Sequence, residues 1–286
     1  MEDDDRSPLA DTEVHRLRPA ELEGERTIFV GRCGLDPAVP TSVLYLTDAN
    51  GFFGATVDLV RSLQLARHLP PILVVGIGYP VGVLAETMDR RTRDLTPTAD
   101  EGFAALFPDQ SEMGGAAATR AFIRRELMPW VGDRYDVDPA DTTFFGHSLG
   151  GLFGLSVLFD EPETFARYII GSPSLWWDGR VTLGLERRYA ERHDDLAATV
   201  FFGIGADETH EGRVREAVNL PEEERRKATA WYIDMVDDMH RLVDQLDGRA
   251  YPGLRSRREV FPGEFHITVP LLTLSRGLRF VYDAPR

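Results

Sequence analysis

Short, continuous runs of apolar residues alternate with stretches of helical periodicity along most of this chain. Because the runs lack a period of two, they are typical of strands buried on both faces. They predict strands at residues 27–30, 42–46, 71–76, 142–145, 168–171, 198–202 and 257–261. The intervening stretches predict helices at residues 57–66, 116–131, 149–159, 222–246 and 269–280. This alternation indicates an α/β fold, in which helices cover both faces of a mostly parallel sheet.

Two stretches do not fit this alternation. Residues 1–13 are acidic and aperiodic, so we expect a disordered tail that precedes a single domain at residues 14–286. Residues 80–114 are rich in charge, Pro and Gly and show little periodicity, which predicts a long loop. Such loops are often functional in compact domains.

Composition narrows the function classes. The net charge of −15 disfavours partners with a phosphate backbone and anionic membrane surfaces, so we expect neither a nucleic-acid nor a membrane partner. The chain start lacks a basic segment followed by an apolar run, and no run approaches the ~18 residues of a membrane helix, which predicts a cytoplasmic location. Cys33 is the one cysteine, so no intramolecular disulfide can form.

Residues 146–151 read Gly-His-Ser-Leu-Gly-Gly and fit the pattern Gly-x-Ser-x-Gly. The pattern lies between a predicted strand and a predicted helix, which is the context that a nucleophile elbow requires. In such an elbow a sharp turn raises the serine hydroxyl into a cleft, and the flanking glycines avoid collisions. The sequence therefore predicts Ser148 as a nucleophile. We do not expect its neighbour His147 to be the base, because adjacent side chains on such a turn point apart.

The general base should follow the nucleophile and the acid in chain order. His266 lies between the last predicted strand and the last predicted helix, which makes it the candidate base. The acid should follow the preceding strand, where Asp207 and Glu208 are adjacent and either could orient the imidazole. A metal site formed by these two residues with His210 and Glu211 does not fit the usual ligand spacing, so no metal is expected.

An oxyanion hole needs two N–H donors. The first candidate is the backbone N–H of Leu149, the residue after the nucleophile. The second should come from the loop after the strand at residues 42–46, where Asn50 is the candidate and Gly51 the alternative. An Asn-Gly turn without a catalytic role is also consistent with these residue types.

Several segments together resemble the enterochelin-esterase-like branch of the esterase D superfamily, whose members have the α/β-hydrolase fold. They are residues 44–50 (Leu-Tyr-Leu-Thr-Asp-Ala-Asn), 75–80 (Val-Gly-Ile-Gly-Tyr-Pro), 93–97 (Arg-Asp-Leu-Thr-Pro), 146–151, 172–177 (Ser-Pro-Ser-Leu-Trp-Trp) and 263–266 (Gly-Glu-Phe-His). The likeness runs from about residue 14 to the C-terminus.

This resemblance implies hydrolysis of carboxylic esters, and some members open the trilactone backbone of catecholate siderophores such as enterobactin or bacillibactin. The family acid tends to be a Glu in a Gly-x-x-Glu turn. Residues 205–208 match that turn, which favours Glu208 over Asp207. The chain departs from the family at Ala49, where many relatives have Gly.

Candidate substrate-binding residues are Trp176 and Trp177, which follow a predicted strand, and Arg90, Arg91 and Arg93 in the long loop. The tryptophans could line an acyl or aryl pocket, although a Trp pair is equally common in a core. The arginines could bind an anionic substrate or pair with the acidic residues of the chain.

We therefore expect a serine esterase that acts through a Ser-His-Glu triad and an acyl-enzyme on a small-molecule ester or lactone, without a cofactor. Siderophore trilactones are the candidate substrates. A general carboxylesterase and an acyltransferase of the same fold are the alternatives, and a catalytically silent binding protein is the alternative of another class. The sequence does not determine the oligomeric state.

Overall fold

The apolar runs of the sequence form one central sheet. In a computed structural model, which describes residues 9–34, 41–81, 84–110, 112–230 and 233–283, this sheet has eight strands. They are β1 (Thr12–Leu17), β2 (Arg26–Cys33), β3 (Thr41–Leu46), β4 (Ile72–Gly78), β5 (Val137–His147), β6 (Arg167–Gly171), β7 (Ala198–Gly205) and β8 (Leu254–Phe261). Their order across the sheet is β1-β2-β4-β3-β5-β6-β7-β8. Strand β2 runs antiparallel to both of its neighbours, β1 and β4, and the strands β3 to β8 are parallel to one another.

Helices cover both faces of the sheet, as the sequence predicts. They are α1 (Ala49–Leu65), α2 (Met88–Leu95), α3 (Glu101–Leu106), α4 (Ala116–Phe122), α5 (Met128–Gly132), α6 (Leu149–Asp160), α7 (Trp177–Ala190), α8 (His210–Ala217), α9 (Glu222–Ala228), α10 (Met235–Arg249) and α11 (Pro270–Val281). A π-helical turn, Ile123–Leu127, joins α4 to α5. Within the described ranges, no helix has the length and apolar character needed to span a bilayer.

Strand β4 shows why the apolar runs are continuous. Its residues Leu73 and Val75 belong to the core that contains α6 and α10, whereas Ile72 and Val74 belong to the core that contains α1 and α11. Successive side chains of a strand point to opposite faces, and both faces here are covered. Every residue of β4 is therefore buried and no polar alternation remains.

Two predicted helices have other bounds. The helix expected at residues 57–66 begins at Ala49, so most of the expected loop after β3 is helical. The single helix expected at residues 222–246 is wrong, because α9 ends at Ala228 and α10 begins at Met235. The Asp234 side chain caps α10 by accepting a hydrogen bond from the Asp237 N–H at 3.0 Å. Residues 231–232 lie outside the described residues.

The loop expected at residues 80–114 is also wrong, because α2 and α3 lie within it. The buried side of α2 consists mostly of polar residues, including Arg91, Thr92 and Asp94, so no apolar periodicity marks the helix. Residues 82, 83 and 111 are not among the described residues. At the N-terminus β1 already includes Thr12 and Glu13, which the sequence assigned to the tail. The structure does not describe residues 1–8, so a disordered tail there stays a prediction.

Candidate active site

Ser148 lies in a sharp turn between β5 and α6 with backbone angles φ 60° and ψ −120°. This positive φ is a strained conformation for a residue with a side chain. The turn leaves no room at its glycines, because a Cβ on Gly146 would lie 2.2 Å from the carbonyl oxygen of Gly150. A Cβ on Gly150 would lie 2.4 Å from Thr47 Oγ1. The sequence pattern thus corresponds to a strained, tightly packed turn that presents Ser148.

The imidazole of His266 bonds to a buried carboxylate. His266 lies in the loop between β8 and α11, and its Nδ1 donates to Glu208 Oε2 at 2.6 Å. Glu208 follows β7 and is 2% exposed. Its other oxygen accepts hydrogen bonds from the Gly205 N–H at 2.8 Å and from Ser172 Oγ at 2.5 Å. The carboxylate is therefore held on both oxygens and orients the ring, so that Nε2 is the nitrogen left for chemistry.

Asp207, the alternative acid, has a different partner. Its Oδ1 accepts a hydrogen bond from Arg215 Nη2 of α8 at 2.9 Å. The ion pair is partly exposed, with 29% of the Asp207 side chain accessible. Of the two adjacent carboxylates, Glu208 is the one that contacts His266.

Ser148 and His266 line one cavity of about 440 Å³. This reaction cavity is lined by Ser148, Ser174, Trp176, Glu208, Arg213, Glu216, Ala217, Leu220, Ala228, Met235 and His266. In the described part of the chain, Ser148 Oγ lies 3.5 Å from Ser174 Oγ and makes no hydrogen bond to His266. Hydrogen bonds between a nucleophile and its base are commonly long in unliganded enzymes and tighten with substrate.

The oxyanion candidates lie at two helix N-termini. Leu149 is the first residue of α6, where backbone N–H groups have no partner within the helix. Asn50 lies in the first turn of α1, and its side-chain amide donates to the carbonyl oxygens of Tyr79 at 3.0 Å and Val81 at 2.7 Å. The Gly51 N–H donates to the carbonyl oxygen of Asp48 at 3.0 Å. The Asn50 side chain and the Gly51 N–H are thus used inside the protein.

Asp48 immediately precedes α1 and forms a buried ion pair. Its backbone has a left-handed φ of 56°, and its carboxylate oxygens accept from Arg91 Nε and Nη2, both at 2.8 Å. The exposed fractions are 3% for Asp48 and 6% for Arg91. Asp48 Oδ2 also lies 3.3 Å from the point that a Cβ on Gly150 would occupy. The ion pair therefore holds the start of α1 against the turn that contains Ser148.

Of the three arginines predicted to bind substrate, Arg91 is excluded by its burial, whereas substrate contacts of Arg90 and Arg93 stay predictions. Arg91 is buried against Asp48, and Arg93 Nε donates to Asp94 Oδ1 at 2.8 Å. Arg90 and Arg93 line a separate cavity whose walls also carry Asp89, Asp109 and Glu112. Arg91 and Arg93 thus pair with acidic residues of the chain, and the lining of the reaction cavity includes none of the three arginines.

The two adjacent tryptophans have different surroundings. Trp176 lines the reaction cavity, and its contact with substrate stays a prediction. Trp177 is 0% exposed, and its Nε1 donates to the carbonyl oxygen of Thr98 at 3.0 Å. A substrate-binding role for Trp177 is therefore wrong, because its ring is part of the core.

His147 is buried and is not among the residues that line the reaction cavity. It is 5% exposed, and its ring centroid lies 4.6 Å from that of His266. Burial lowers the pKa of His147 well below its usual value, and the nearby cation of Arg91 acts in the same direction. His147 is thus held as a neutral ring beside His266.

Sequence reasoning missed the roles of Ser172, Ser174 and Arg213. Ser172 is fully buried with a positive φ of 37° and donates to Glu208, while Ser174 contacts Ser148. Both serines belong to the segment 172–177 that carries the family resemblance, which was the available signal. Arg213 lies on the polar helix α8, and no local pattern distinguishes it from its neighbours.

Comparison with known proteins agrees with this architecture. The chain is 31% identical over 281 residues to the Ferri-bacillibactin esterase BesA of Bacillus subtilis, covering 94% of this chain and 89% of that protein. It is 30% identical over 254 residues to the Siderophore triacetylfusarinine C esterase of Aspergillus fumigatus, covering 85% and 82%. The solved structure of the Siderophore hydrolase EstB from Aspergillus nidulans superposes with a TM-score of 0.79 at 27% identity, covering 98% and 97%.

The family model described as "Putative esterase" matches residues 20–240, which is more than half of the chain. Together with the eight-stranded, mostly parallel sheet and the structural neighbour, this match confirms the α/β-hydrolase fold. The chain belongs to the Putative esterase family and is a carboxylic ester hydrolase.

Proposed function

We propose that the protein is a serine esterase that cleaves ester bonds of siderophores through an acyl-enzyme on Ser148. The observation that carries this proposal is the 2.6 Å hydrogen bond between His266 Nδ1 and the buried Glu208, at the wall of the cavity that Ser148 lines. This arrangement is the one a serine nucleophile needs: a base within the same cavity and a carboxylate that orients the base.

In the proposed reaction His266 Nε2 accepts the proton of Ser148 Oγ as the oxygen attacks the ester carbonyl carbon. Glu208 stabilises the imidazolium that forms. The imidazolium then protonates the leaving alcohol, and a water molecule, deprotonated by His266, hydrolyses the acyl-enzyme. Besides the ester and one water molecule, these steps use side chains and backbone groups of this chain.

The backbone N–H of Leu149 and one N–H from the first turn of α1 would bind the oxyanion. Gly150 lies against Thr47 and Asp48, which supports a donor from this turn. The first N–H groups of an α-helix have no partner within the helix, so Ala49 and Asn50 are the candidate backbone donors. The macrodipoles of α6 and α1 favour negative charge at the same ends.

The siderophore substrate is supported by three relatives at 30% identity or more, which are a Ferri-bacillibactin esterase, a triacetylfusarinine C esterase and a siderophore enterobactin esterase. A cavity of about 440 Å³ is within the usual range for a small-molecule site and would take one arm of a larger cyclic ester. Trp176 offers an aromatic wall against which an aryl group could pack.

The nucleophile is tested with a fluorophosphonate, which should label Ser148 once per chain. Ser148→Ala should abolish labelling and lower kcat for p-nitrophenyl butyrate by about four orders of magnitude or more. Ser174→Ala is the matched control, because Ser174 lines the same cavity and its Oγ lies 3.5 Å from Ser148 Oγ. The Ser174→Ala variant should still be labelled at Ser148. Labelling at Ser174, or near-normal turnover by Ser148→Ala, would refute the proposed mechanism.

The substrate is tested by comparing kcat/KM for a ferric catecholate trilactone, its iron-free form and p-nitrophenyl butyrate. We expect the trilactone to be the best substrate. Turnover of the nitrophenyl ester alone would indicate a general carboxylesterase, and product formation only with an added acceptor alcohol would indicate an acyltransferase. Either result would end the siderophore proposal.

A further inference from the structure

The wall of the reaction cavity carries one guanidinium that the sequence did not single out. Arg213, on α8, lines this cavity together with Ser148 and His266. Half of the other lining residues are apolar, among them Ala217, Leu220 and Met235, and the carboxyl groups in this wall are those of Glu208 and Glu216. A cation in such surroundings is costly unless something compensates its charge.

Arg213 is half-buried, and its Nη2 donates to the carbonyl oxygen of Ala228 at 2.6 Å. Among the residues that the structure describes, no carboxylate lies within 4.0 Å of its nitrogens, whereas Arg215 on the same helix pairs with Asp207. Burial also lowers the pKa of Arg213 from its usual value, while the negative charges of Glu216 and Glu208 partly oppose this effect. The guanidinium thus retains unused N–H donors beside the cavity.

Glu216, one helical turn along α8, lines the same cavity and is exposed. Partial burial raises the pKa of its carboxyl group, which means that a negative charge is disfavoured there. The two residues therefore act in opposite directions on a charged ligand, because Arg213 attracts an anion and Glu216 repels it.

We propose that Arg213 determines substrate specificity by pairing with an anionic group of the ester, so that the cavity prefers an aromatic anion to a neutral isostere. The aromatic wall of Trp176 and the guanidinium of Arg213 together match a ring that carries an anionic oxygen. This inference rests on the proposed esterase site at Ser148.

The test uses two esters of one shape, 4-(butanoyloxy)benzoate and 4-(butanoyloxy)benzamide, which differ in charge. Arg213→Gln should lower kcat/KM for the benzoate by about tenfold or more, since a hydrogen bond to a charged group is lost, and should leave the benzamide within about twofold. Arg213→Lys should restore part of the preference because it keeps the charge. Glu216→Gln should raise kcat/KM for the benzoate only.

Arg215→Gln is the matched control, because Arg215 lies on the same helix, pairs with Asp207 and does not line the cavity. The Arg215→Gln substitution should leave kcat/KM unchanged for both esters. An equal loss for both esters in Arg213→Gln would mean that Arg213 acts only by holding α8 to Ala228, and the inference would be overturned.

A calorimetric titration with 4-hydroxybenzoate separates this inference from the proposed function. Weaker binding of this anion to Arg213→Gln than to the unmodified protein supports the role of Arg213 whether or not the esters are hydrolysed. Equal binding by the two proteins, or no binding by either, overturns it. Failure of the unmodified protein to hydrolyse either ester counts against the proposed function, and the titration still decides the role of Arg213.

Discussion

Removing the guanidinium of Arg91 should destabilise the protein strongly, because the Asp48 carboxylate would remain buried without a countercharge. The two side chains are 6% and 3% exposed and share two hydrogen bonds of 2.8 Å, one to each carboxylate oxygen. Breaking a buried pair from one side typically costs about 3–5 kcal/mol, most of it from the uncompensated charge. We therefore expect Arg91→Met to lower the free energy of unfolding by about that amount.

The double variant Asp48→Asn/Arg91→Met tests the reason for this loss. It removes both charges, so its free energy of unfolding should lie above that of Arg91→Met alone. Asn is the right replacement because the backbone of Asp48 has φ 56°, a conformation that Asn tolerates better than most residues. Without recovery in the double variant, the loss could not be assigned to the lone carboxylate.

The measurement is urea denaturation followed by circular dichroism at a fixed pH, with the midpoint and slope compared across variants. Arg226→Met is the matched control. Arg226 also bonds to both oxygens of one carboxylate, that of Glu223, at 3.1 Å each, but this pair is exposed to solvent. Its loss should hardly move the midpoint. If Arg91→Met moved the midpoint no further than Arg226→Met, the reasoning from burial would be refuted.

Three further predictions concern other residues. Glu208→Gln should lower kcat far more than Asp207→Asn, because Glu208 contacts His266 and Asp207 bonds to Arg215; equal losses would contradict this assignment. His147 has a lowered pKa in the folded state, so below about pH 6.5 the unfolded chain takes up a proton that the folded protein does not. Stability should therefore fall with decreasing pH below that value, and His147→Gln should show a shallower fall in urea midpoints measured between about pH 7 and pH 5. Burial raises the pKa of the Cys33 thiol to about 11, so Ellman's reagent at neutral pH should detect one thiol per chain in urea and react only slowly with the native protein.

Local sequence patterns were sufficient for the elbow and for seven of the eight strands of the described sheet, all except β1. A strand such as β4 is buried on both faces, so its apolar run marks it without reference to any other part of the chain. The elbow of Ser148 depends on small residues at fixed offsets within a single turn, which the sequence displays directly. Helix α2 lacked such a pattern because its buried side is mostly polar, and the start of α10 is marked by a single capping side chain, that of Asp234.

Only the tertiary structure decided which charged and aromatic side chains face the reaction cavity. Arg91 is paired with a residue 43 positions away, and Trp177 bonds to a carbonyl 79 positions away, whereas Arg213 reaches the cavity from a helix of ordinary polar composition. A guanidinium has the same local propensity whether it pairs with a buried carboxylate or faces a ligand. The difference lies in which carboxylates the fold brings within reach, and that is set by contacts between segments distant in sequence.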